Sequence, residues 1–154
     1  MGLFSGVLGG QIVLAGGTSD DYSRWGRNAV CLSENAGFAL YEDVLSKPLA
    51  YGASITLSDG ILCIGGRDSS QCYKDVFLVT MQQGKLNVSE DWPPLPFPLS
   101  NAAGALLDNK VYLFGGRKSV SPSRLSDSFF VLDLSNKSRG WKELPGSQHV
   151  HRQG

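Results

Sequence analysis

Three Gly-Gly pairs recur at nearly equal intervals along this chain: Gly16-Gly17, Gly65-Gly66 and Gly115-Gly116. Each pair closes a short apolar run, in QIVLAGG, GILCIGG and KVYLFGG, and successive pairs are 49 and 50 residues apart. Short apolar runs bounded by turn residues favour β-strands, and a regular period of this length indicates a repeat architecture. The chain is therefore expected to fold as three copies of one all-β unit.

The other strands of each unit can be placed around these pairs. A first strand precedes each apolar run, at 4–8, 52–57 and 102–107, and a turn pair follows it: Gly9-Gly10, Asp59-Gly60 or Asp108-Asn109. Such pairs tolerate the positive φ angles of two-residue hairpins. Third strands are predicted at 28–32, 75–80 and 128–133, and each fourth strand is expected to carry a large aromatic residue near its end: Tyr41, Trp92 and Trp141. No helix is predicted.

Four strands per unit and three units predict an all-β kelch β-propeller with three four-stranded blades of about 50 residues. The predicted blades are 3–49, 50–98 and 99–148, and 149–154 would open a further blade. Propellers close with roughly four to eight blades, so three blades are expected to be half of a six-bladed ring. Two interpretations remain open: a fragment of a six-bladed parent, which we favour, or half-rings that pair by self-association.

Composition excludes several classes of function. The formal net charge is zero and no basic run occurs, so a nucleic-acid partner is not expected. No apolar stretch reaches the ~18 residues of a membrane span.

Cys31 and Cys63 are predicted to be buried on strands, and a Cys63–Cys72 disulfide remains open. No Cys/His cluster has zinc spacing, His149 and His151 are expected to be solvated, and neither a metal nor a cofactor is predicted.

A candidate binding site follows from strand pairing. Antiparallel pairing puts the start of each first strand beside the end of the second strand. Residues at both places therefore meet on one rim of the predicted ring, near its axis, which we call the axial rim. Arginines on this rim would form a donor-rich funnel for a carboxylate, which the guanidinium fork binds in a bidentate manner. Alternatively, these arginines hydrogen-bond neighbouring backbone, and Asp68, directly after Arg67, would be a local partner. The predicted substrate-binding residues are Thr18, Tyr51, Arg67, Asn101, Arg117 and Arg152, and Ser5 opens the first inner strand of the same rim.

Longer stretches resemble one kelch family. GLFSGVLGGQIVLAGG, LAYGASITLSDGILCIGG and KDVFLVTMQQGKLNV are similar to the final two blades of the sialic-acid mutarotases, also called N-acetylneuraminate epimerases. PPLPFPLSNAAGALLDNKVYLFGG and WKELPG are similar to that family's first blade, which is the order of its cyclically permuted relatives. The resemblance implies a six-bladed ring, sialic acid as the substrate, exchange of its anomers as the reaction and a periplasmic or other extracytoplasmic location.

The chain also departs from that family. Leu49 stands where the family often has Arg, and the family's proposed catalytic Glu and Arg belong to a blade in which Glu replaces the second Gly of the pair. All three pairs are intact here, so no catalytic residue is assigned. Asp20 and Asp21 are the carboxylates nearest the rim, and both are expected to be turn residues. A kelch module that binds an acidic partner and a purely structural remnant remain alternatives.

Overall fold

The computed structural model describes residues 1–145, and 146–154 are not described. The first sheet contains β1 (Phe4–Leu8), β2 (Gln11–Ala15), β3 (Ala29–Ser33) and β4 (Gly37–Tyr41). The second sheet contains β5 (Ala53–Thr56), β6 (Ile61–Ile64), β7 (Val76–Gln82) and β8 (Lys85–Ser89). β9 (Ala103–Leu107) and β10 (Lys110–Phe114) begin the third sheet. A hairpin of β11 (Arg117–Ser119) and β12 (Arg124–Leu125) follows, and β13 (Phe129–Asp133) and β14 (Lys142–Glu143) complete the third sheet.

All three sheets are antiparallel and four-stranded, and in each the neighbouring strands are consecutive apart from the inserted hairpin. This confirms the all-β prediction and its three four-stranded units. Two local predictions were wrong. A 3-10 helix spans Leu134–Arg139, begun by the Asp133 carboxylate, which accepts a hydrogen bond from the Ser135 N–H. Trp92 and Trp141 lie just outside β8 and β14 rather than within them.

The first-to-second strand turns follow two designs. Asp108 and Asn109 both have positive φ, 51° and 61°, as a two-residue hairpin requires, and Gly9-Gly10 has φ of 55° and 77°. The prediction of the same turn at Asp59-Gly60 was wrong, because Thr56 pairs with Ile61 and a four-residue loop separates them. Gly60 is buried, and a Cβ there would lie 2.7 Å from the Val79 carbonyl oxygen. Its glycine is therefore needed for close packing rather than for a left-handed φ.

The sheets stack face to face through two apolar clusters. Successive β6 residues point to opposite faces, so Ile61 and Cys63 pack toward the first sheet, whereas Leu62 and Ile64 pack toward the third. All four are buried, which explains a continuous apolar strand rather than an alternating one. The links between sheets add a repeated pair of buried leucines to each cluster: Leu45 and Leu49, then Leu95 and Leu99.

The Gly pairs attach each sheet to the following link. Gly17 N donates to the Leu49 carbonyl at 2.8 Å, and Gly66 N donates to the Leu99 carbonyl at 2.8 Å. Gly65 has φ of +66°, and a Cβ there would lie 2.3 Å from the same Leu99 oxygen. Both the backbone conformation and the contact therefore require glycine.

The cysteines are structural. Cys31, Cys63 and Cys72 are free and buried, so the predicted burial is confirmed and no Cys63–Cys72 disulfide forms. Burial raises the pKa of Cys31 and of Cys63, which keeps both as neutral thiols.

No helix among residues 1–145 has the length and apolar character needed to cross a membrane. The blade limits stay a prediction, and His149, His151 and Arg152 lie outside the described residues.

Candidate anion-binding cleft

The predicted axial rim is formed by short backbone pairings. Ala50 and Arg67 exchange two hydrogen bonds, of 3.0 and 2.8 Å, and Ser100 and Arg117 repeat the arrangement at 2.9 and 2.7 Å. Each pair joins a residue three positions before an inner strand, β5 or β9, to the residue directly after a Gly pair. The rim therefore brings together two arginines that are 50 positions apart in the chain.

The next residue on each inner segment has an unusual backbone conformation. Gly2, Tyr51 and Asn101 have φ of 69°, 61° and 57°. Tyr51 N donates to the Gly2 carbonyl at 2.8 Å, and Asn101 N donates to the Tyr51 carbonyl at 2.7 Å. The left-handed region is rare for a bulky residue such as tyrosine and costs about 1–3 kcal/mol, and such strain concentrates at functional sites. Tyr51 is therefore a candidate functional residue on backbone grounds alone.

Side chains from all three repeats line one cleft of about 300 Å³ on this rim. Its lining residues are Tyr22, Tyr51, Arg67, Asn101 and Arg117. Tyr22 comes from the loop between β2 and β3, and the other four were predicted from the sequence. The structure thus brings together four of the six predicted residues, and their role in binding remains a prediction.

The two guanidinium groups of the cleft carry uncompensated charge. Arg67 Nε donates to the Asp68 backbone carbonyl at 3.1 Å, and its Cζ lies 5.3 Å from the centroid of the Trp25 ring. Arg67 and Arg117 form no salt bridge within residues 1–145. Backbone and aromatic contacts therefore orient the Arg67 guanidinium, and neither arginine of the cleft has an ionic partner in the described residues.

Asp68 does not neutralise its neighbour because its carboxylate is engaged elsewhere. It accepts hydrogen bonds from the Tyr73 hydroxyl, the Ser70 N–H at 2.9 Å and the Gln71 N–H at 3.0 Å. Burial raises the pKa of Asp68, but these bonds, led by that from Tyr73, outweigh it and hold the pKa below its usual value. Asp68 is nevertheless a local partner of Arg67, as the alternative expected, because its backbone carbonyl accepts a hydrogen bond from Arg67 Nε, while the two side chains form no salt bridge.

Neutral hydrogen-bonding groups complete the cleft. Asn101 Oδ1 accepts a 2.9 Å bond from the Ser100 hydroxyl, which leaves the amide nitrogen as a donor toward a ligand. The Ser100 oxygen is itself 3.5 Å from Cys72 Sγ, so a buried thiol supports this orientation. The pKa of Tyr51 is raised, first by hydrogen bonding to Tyr22 and then by burial, which keeps a neutral phenol in the cleft. The arrangement offers donors to an anion.

Thr18 and Asp21 organise the loop that carries Tyr22. Thr18 is buried, and its hydroxyl donates to the Arg24 carbonyl at 2.9 Å, so it does not line the cleft. Asp21 Oδ1 accepts bonds of 2.7 Å from the Ser19 hydroxyl and of 2.7 and 3.1 Å from Ser23. These bonds, led by the Ser23 hydroxyl, lower the pKa of Asp21 to about 2. Asp21 is therefore a turn residue, as expected.

We expect Ser23→Ala to raise the pKa of Asp21 from about 2 toward 3.8, since the Ser23 hydroxyl is its main hydrogen-bond donor. The depressed pKa means that Asp21 stabilises the loop above pH 3.8, and this contribution is lost as the pH falls through 2. Titration of the carboxyl carbon by NMR measures the shift. Ser89→Ala, on exposed β8, is the control and should leave it unchanged. An unaltered pKa in the Ser23 variant would contradict the assignment.

Sequence reasoning missed the aromatic side of the cleft. Trp25 neighbours both Tyr22 and Tyr51, with ring centroids 6.3 and 6.5 Å away. The sequence signal that could have found this side of the cleft is the presence of two aromatic residues in the loop after the first Gly pair.

Ser5 lies outside the cleft, where its N–H donates a hydrogen bond to the Ser54 hydroxyl at 3.1 Å. No group of His, Cys, Asp and Glu in the described part of the chain could hold a metal ion.

Comparison with known proteins finds partial similarity to kelch proteins. The family model described as Kelch motif matches residues 98–145. N-acetylneuraminate epimerase of Vibrio cholerae is 30% identical over 82 residues, which cover 53% of this chain and 20% of that protein. The epimerase of Brucella suis is 36% identical over 58 residues, 38% of this chain and 13% of that protein. Adagio-like protein 1 of Oryza sativa is 30% identical over 106 residues, 65% of this chain and 17% of that protein.

The kelch match is partial, since it covers about a third of the chain, and the three four-stranded sheets are consistent with partial propeller blades. The resemblance to N-acetylneuraminate epimerases is confirmed as a partial one. The matched segments span at most about a fifth of these relatives, so the activity of a whole epimerase is not shown by this similarity.

Proposed function

We propose that these blades belong to a kelch-type mutarotase that interconverts the anomers of N-acetylneuraminate, and that their cleft binds the substrate carboxylate. The observation that carries this is the pair Arg67 and Arg117, which line one cleft without a carboxylate partner in residues 1–145. Partial similarity to two epimerases named for this sugar supports the substrate class. The resemblance also favours the bacterial periplasm as the compartment.

The chemistry of the sugar suits the groups of the cleft. A guanidinium fork matches a planar carboxylate, and the Asn101 amide and the Tyr51 hydroxyl add neutral hydrogen-bond donors. In sialic acid the carboxylate is attached to the anomeric carbon. Holding the carboxylate at Arg67 and Arg117 therefore places the reacting carbon about one bond length from a fixed anchor, which is how positioning contributes to rate.

The proposed reaction is an opening and closing of the sugar ring. A base takes the proton of the anomeric hydroxyl, an acid protonates the ring oxygen, and the bond between that oxygen and the anomeric carbon breaks to leave a ketone. Attack by the hydroxyl formed from the ring oxygen on the other face of the ketone then gives the second anomer, with both proton transfers reversed. No carboxylate lines the cleft in the described residues. We therefore assign these blades substrate positioning, without the acid and base.

Direct binding tests this proposal. Titration of the isotopically labelled chain with N-acetylneuraminate should shift the amide and guanidinium signals of Arg67, Asn101 and Arg117. The methyl ester of the sugar is the matched control, since it keeps the ring and lacks the charge. We expect the ester to bind about tenfold or more weakly, the loss typical of a missing charge-assisted hydrogen bond. Equal binding of both, or shifts confined to another surface, would contradict the proposal.

A kelch interaction module is the second candidate. A neighbouring depression of about 450 Å³ shares Asn101 and Arg117 with the cleft and is flanked by Phe114 and Leu125. Together the two surfaces would accept a peptide that presents an acidic side chain next to an apolar one. A peptide of that kind that binds while the free sugar acid does not would favour the module over the mutarotase.

A further inference from the structure

A buried hydroxyl lies behind the cleft at a position where the repeat does not need one. Ser100 and Ala50 have the same backbone role, because each exchanges two hydrogen bonds with the arginine that follows a Gly pair. Ala50 is 0% exposed and Ser100 is 1% exposed, so both side chains lie in the interior. Burial of a hydroxyl costs free energy that burial of a methyl group does not, unless hydrogen bonds compensate it. The hydroxyl of Ser100 therefore needs an explanation beyond the fold.

Two hydrogen bonds satisfy this hydroxyl, and their direction follows from the chemistry of the partners. The buried Cys72 thiol donates to Ser100 Oγ, with 3.5 Å between sulfur and oxygen, and the Ser100 hydroxyl donates to Asn101 Oδ1 at 2.9 Å. The opposite direction would make the thiol sulfur the acceptor, and sulfur accepts hydrogen bonds only weakly. The bonds therefore run from the thiol to the Asn101 carbonyl oxygen, which leaves Asn101 Nδ2 as the amide atom available to the cleft.

The orientation of Asn101 matters because two positively charged groups line the same cleft. Arg67 and Arg117 are lining residues together with Asn101, and a guanidinium group has hydrogen-bond donors but no acceptor. A carboxamide without the bond from Ser100 would turn its oxygen toward these guanidinium groups. That oxygen would occupy donors that an anionic ligand otherwise uses. With its oxygen held by Ser100, Asn101 instead adds a donor beside the two arginines.

We propose that Ser100 is a positioning residue, which keeps the Asn101 carboxamide turned so that its nitrogen, and not its oxygen, meets an anionic ligand. Ser100 is too deeply buried to contact the ligand and acts through Asn101. The inference rests on the proposed function for the identity of that ligand, the carboxylate of N-acetylneuraminate. The orientation of Asn101 is a property of the free chain, so the inference and the proposed function can fail separately.

The thiol–hydroxyl contact also joins the backbone segments that hold the two arginines. Cys72 lies opposite Arg67 in an antiparallel bridge, and Ser100 lies opposite Arg117 in another. Loss of the Ser100 hydroxyl has two conceivable routes to the cleft, through the Asn101 carboxamide or through the positions of the arginines. The proposal commits to the first route, and the two experiments below separate it from the second.

The ligand-free chain tests the orientation of the amide. Ser100→Ala should move the ¹³Cγ signal of Asn101 upfield, since the carbonyl loses the hydrogen bond that it accepts, and Ser100→Cys, which donates only weakly, should move it in the same direction. The Ser100→Ala variant is expected to fold, because Ala50 occupies the equivalent position. Ser128→Ala is the matched control, since Ser128 is also buried in the third repeat and does not line the cleft. An unchanged Asn101 signal in the folded Ser100 variants would overturn the inference, whatever the sugar does.

A double-mutant cycle tests the effect on binding. Ser100→Ala is expected to weaken the binding of N-acetylneuraminate about fivefold, the loss typical of one neutral hydrogen bond. Asn101→Gly removes the carboxamide while accepting the φ of 57°. The double variant should bind the sugar like Asn101→Gly alone, because a residue that acts through Asn101 then has nothing left to orient.

The outcomes of the cycle distinguish the two routes. A further loss of similar size in the double variant would overturn the inference, since Ser100 would then act on the arginines. A wild-type chain that does not bind N-acetylneuraminate would contradict the proposed function. In that case the Asn101 signal of the free chain still decides whether Ser100 orients the amide.

Discussion

Replacing Arg67 and Arg117 together by alanine is expected to weaken the binding of N-acetylneuraminate about 100-fold or more. Each guanidinium contributes a charge-assisted hydrogen bond worth about 1.5–3 kcal/mol, and each 1.4 kcal/mol changes the affinity tenfold. Neither side chain has an ionic partner in residues 1–145, so its loss leaves no carboxylate unpaired in the protein. Isothermal titration calorimetry measures the effect, and thermal unfolding should show a nearly unchanged midpoint.

Two further variants show whether geometry or charge alone binds the sugar. Arg67→Lys keeps the charge but loses the planar fork, so it should retain only part of the affinity. Arg139→Ala removes an exposed arginine from the 3-10 helix of the third sheet and should not change binding. If the double variant still binds N-acetylneuraminate like the wild type, the cleft is not the carboxylate site.

Gly65→Ala is expected to destabilise the fold by about 3–5 kcal/mol, a large part of the stability of a small domain. Two effects add at this position: the φ of +66° disfavours any side chain, and the new methyl group would lie 2.3 Å from the Leu99 carbonyl oxygen. Relief of that contact requires movement of the link that delivers Leu95 and Leu99 to the apolar cluster. Chemical denaturation followed by circular dichroism measures the loss.

Gly84→Ala separates the two causes. Gly84 has φ of +76° in the turn between β7 and β8, and a Cβ there would meet nothing within 4 Å. This substitution should cost only the conformational penalty of about 1–2 kcal/mol. Equal losses for Gly65→Ala and Gly84→Ala would mean that the close approach to Leu99 does not contribute.

The regular part of the fold was predictable because the repeat is written in residue types with strong local preferences. Gly-Gly pairs, apolar runs and the Asp108-Asn109 turn each restrict the backbone, so strands and most turns could be placed from them. The insertions were not predictable in the same way. The 3-10 helix at Leu134–Arg139 and the β11–β12 hairpin depend on local hydrogen bonds, such as that from Ser135 N–H to Asp133, which leave no periodic pattern.

The site was predictable where strand pairing alone decides position. Arg67 and Arg117 meet because antiparallel strands place them at one rim, and that argument needs no side-chain detail. The same argument wrongly placed Thr18 in the site, because its hydroxyl donates a hydrogen bond to the Arg24 carbonyl instead. It also did not identify Tyr22, which lines the cleft. Tyr22 reaches the cleft through a loop in which it has φ of 59°, a conformation that strand patterns do not specify.

The backbone hydrogen bonds from Tyr51 N to the Gly2 carbonyl and from Asn101 N to the Tyr51 carbonyl join the three repeats in series. Because the cleft takes Tyr22 from the first repeat and Asn101 from the last, an occupant would cross-link units that otherwise touch only their immediate neighbours. Binding of such an occupant would therefore depend on how the three repeats are arranged, because its contacts come from all of them. At a free concentration of 100 times Kd, such an occupant would stabilise the arrangement of repeats that binds it by about 2.7 kcal/mol relative to arrangements that do not. We therefore expect an occupant of the cleft to hold the first and third repeats together.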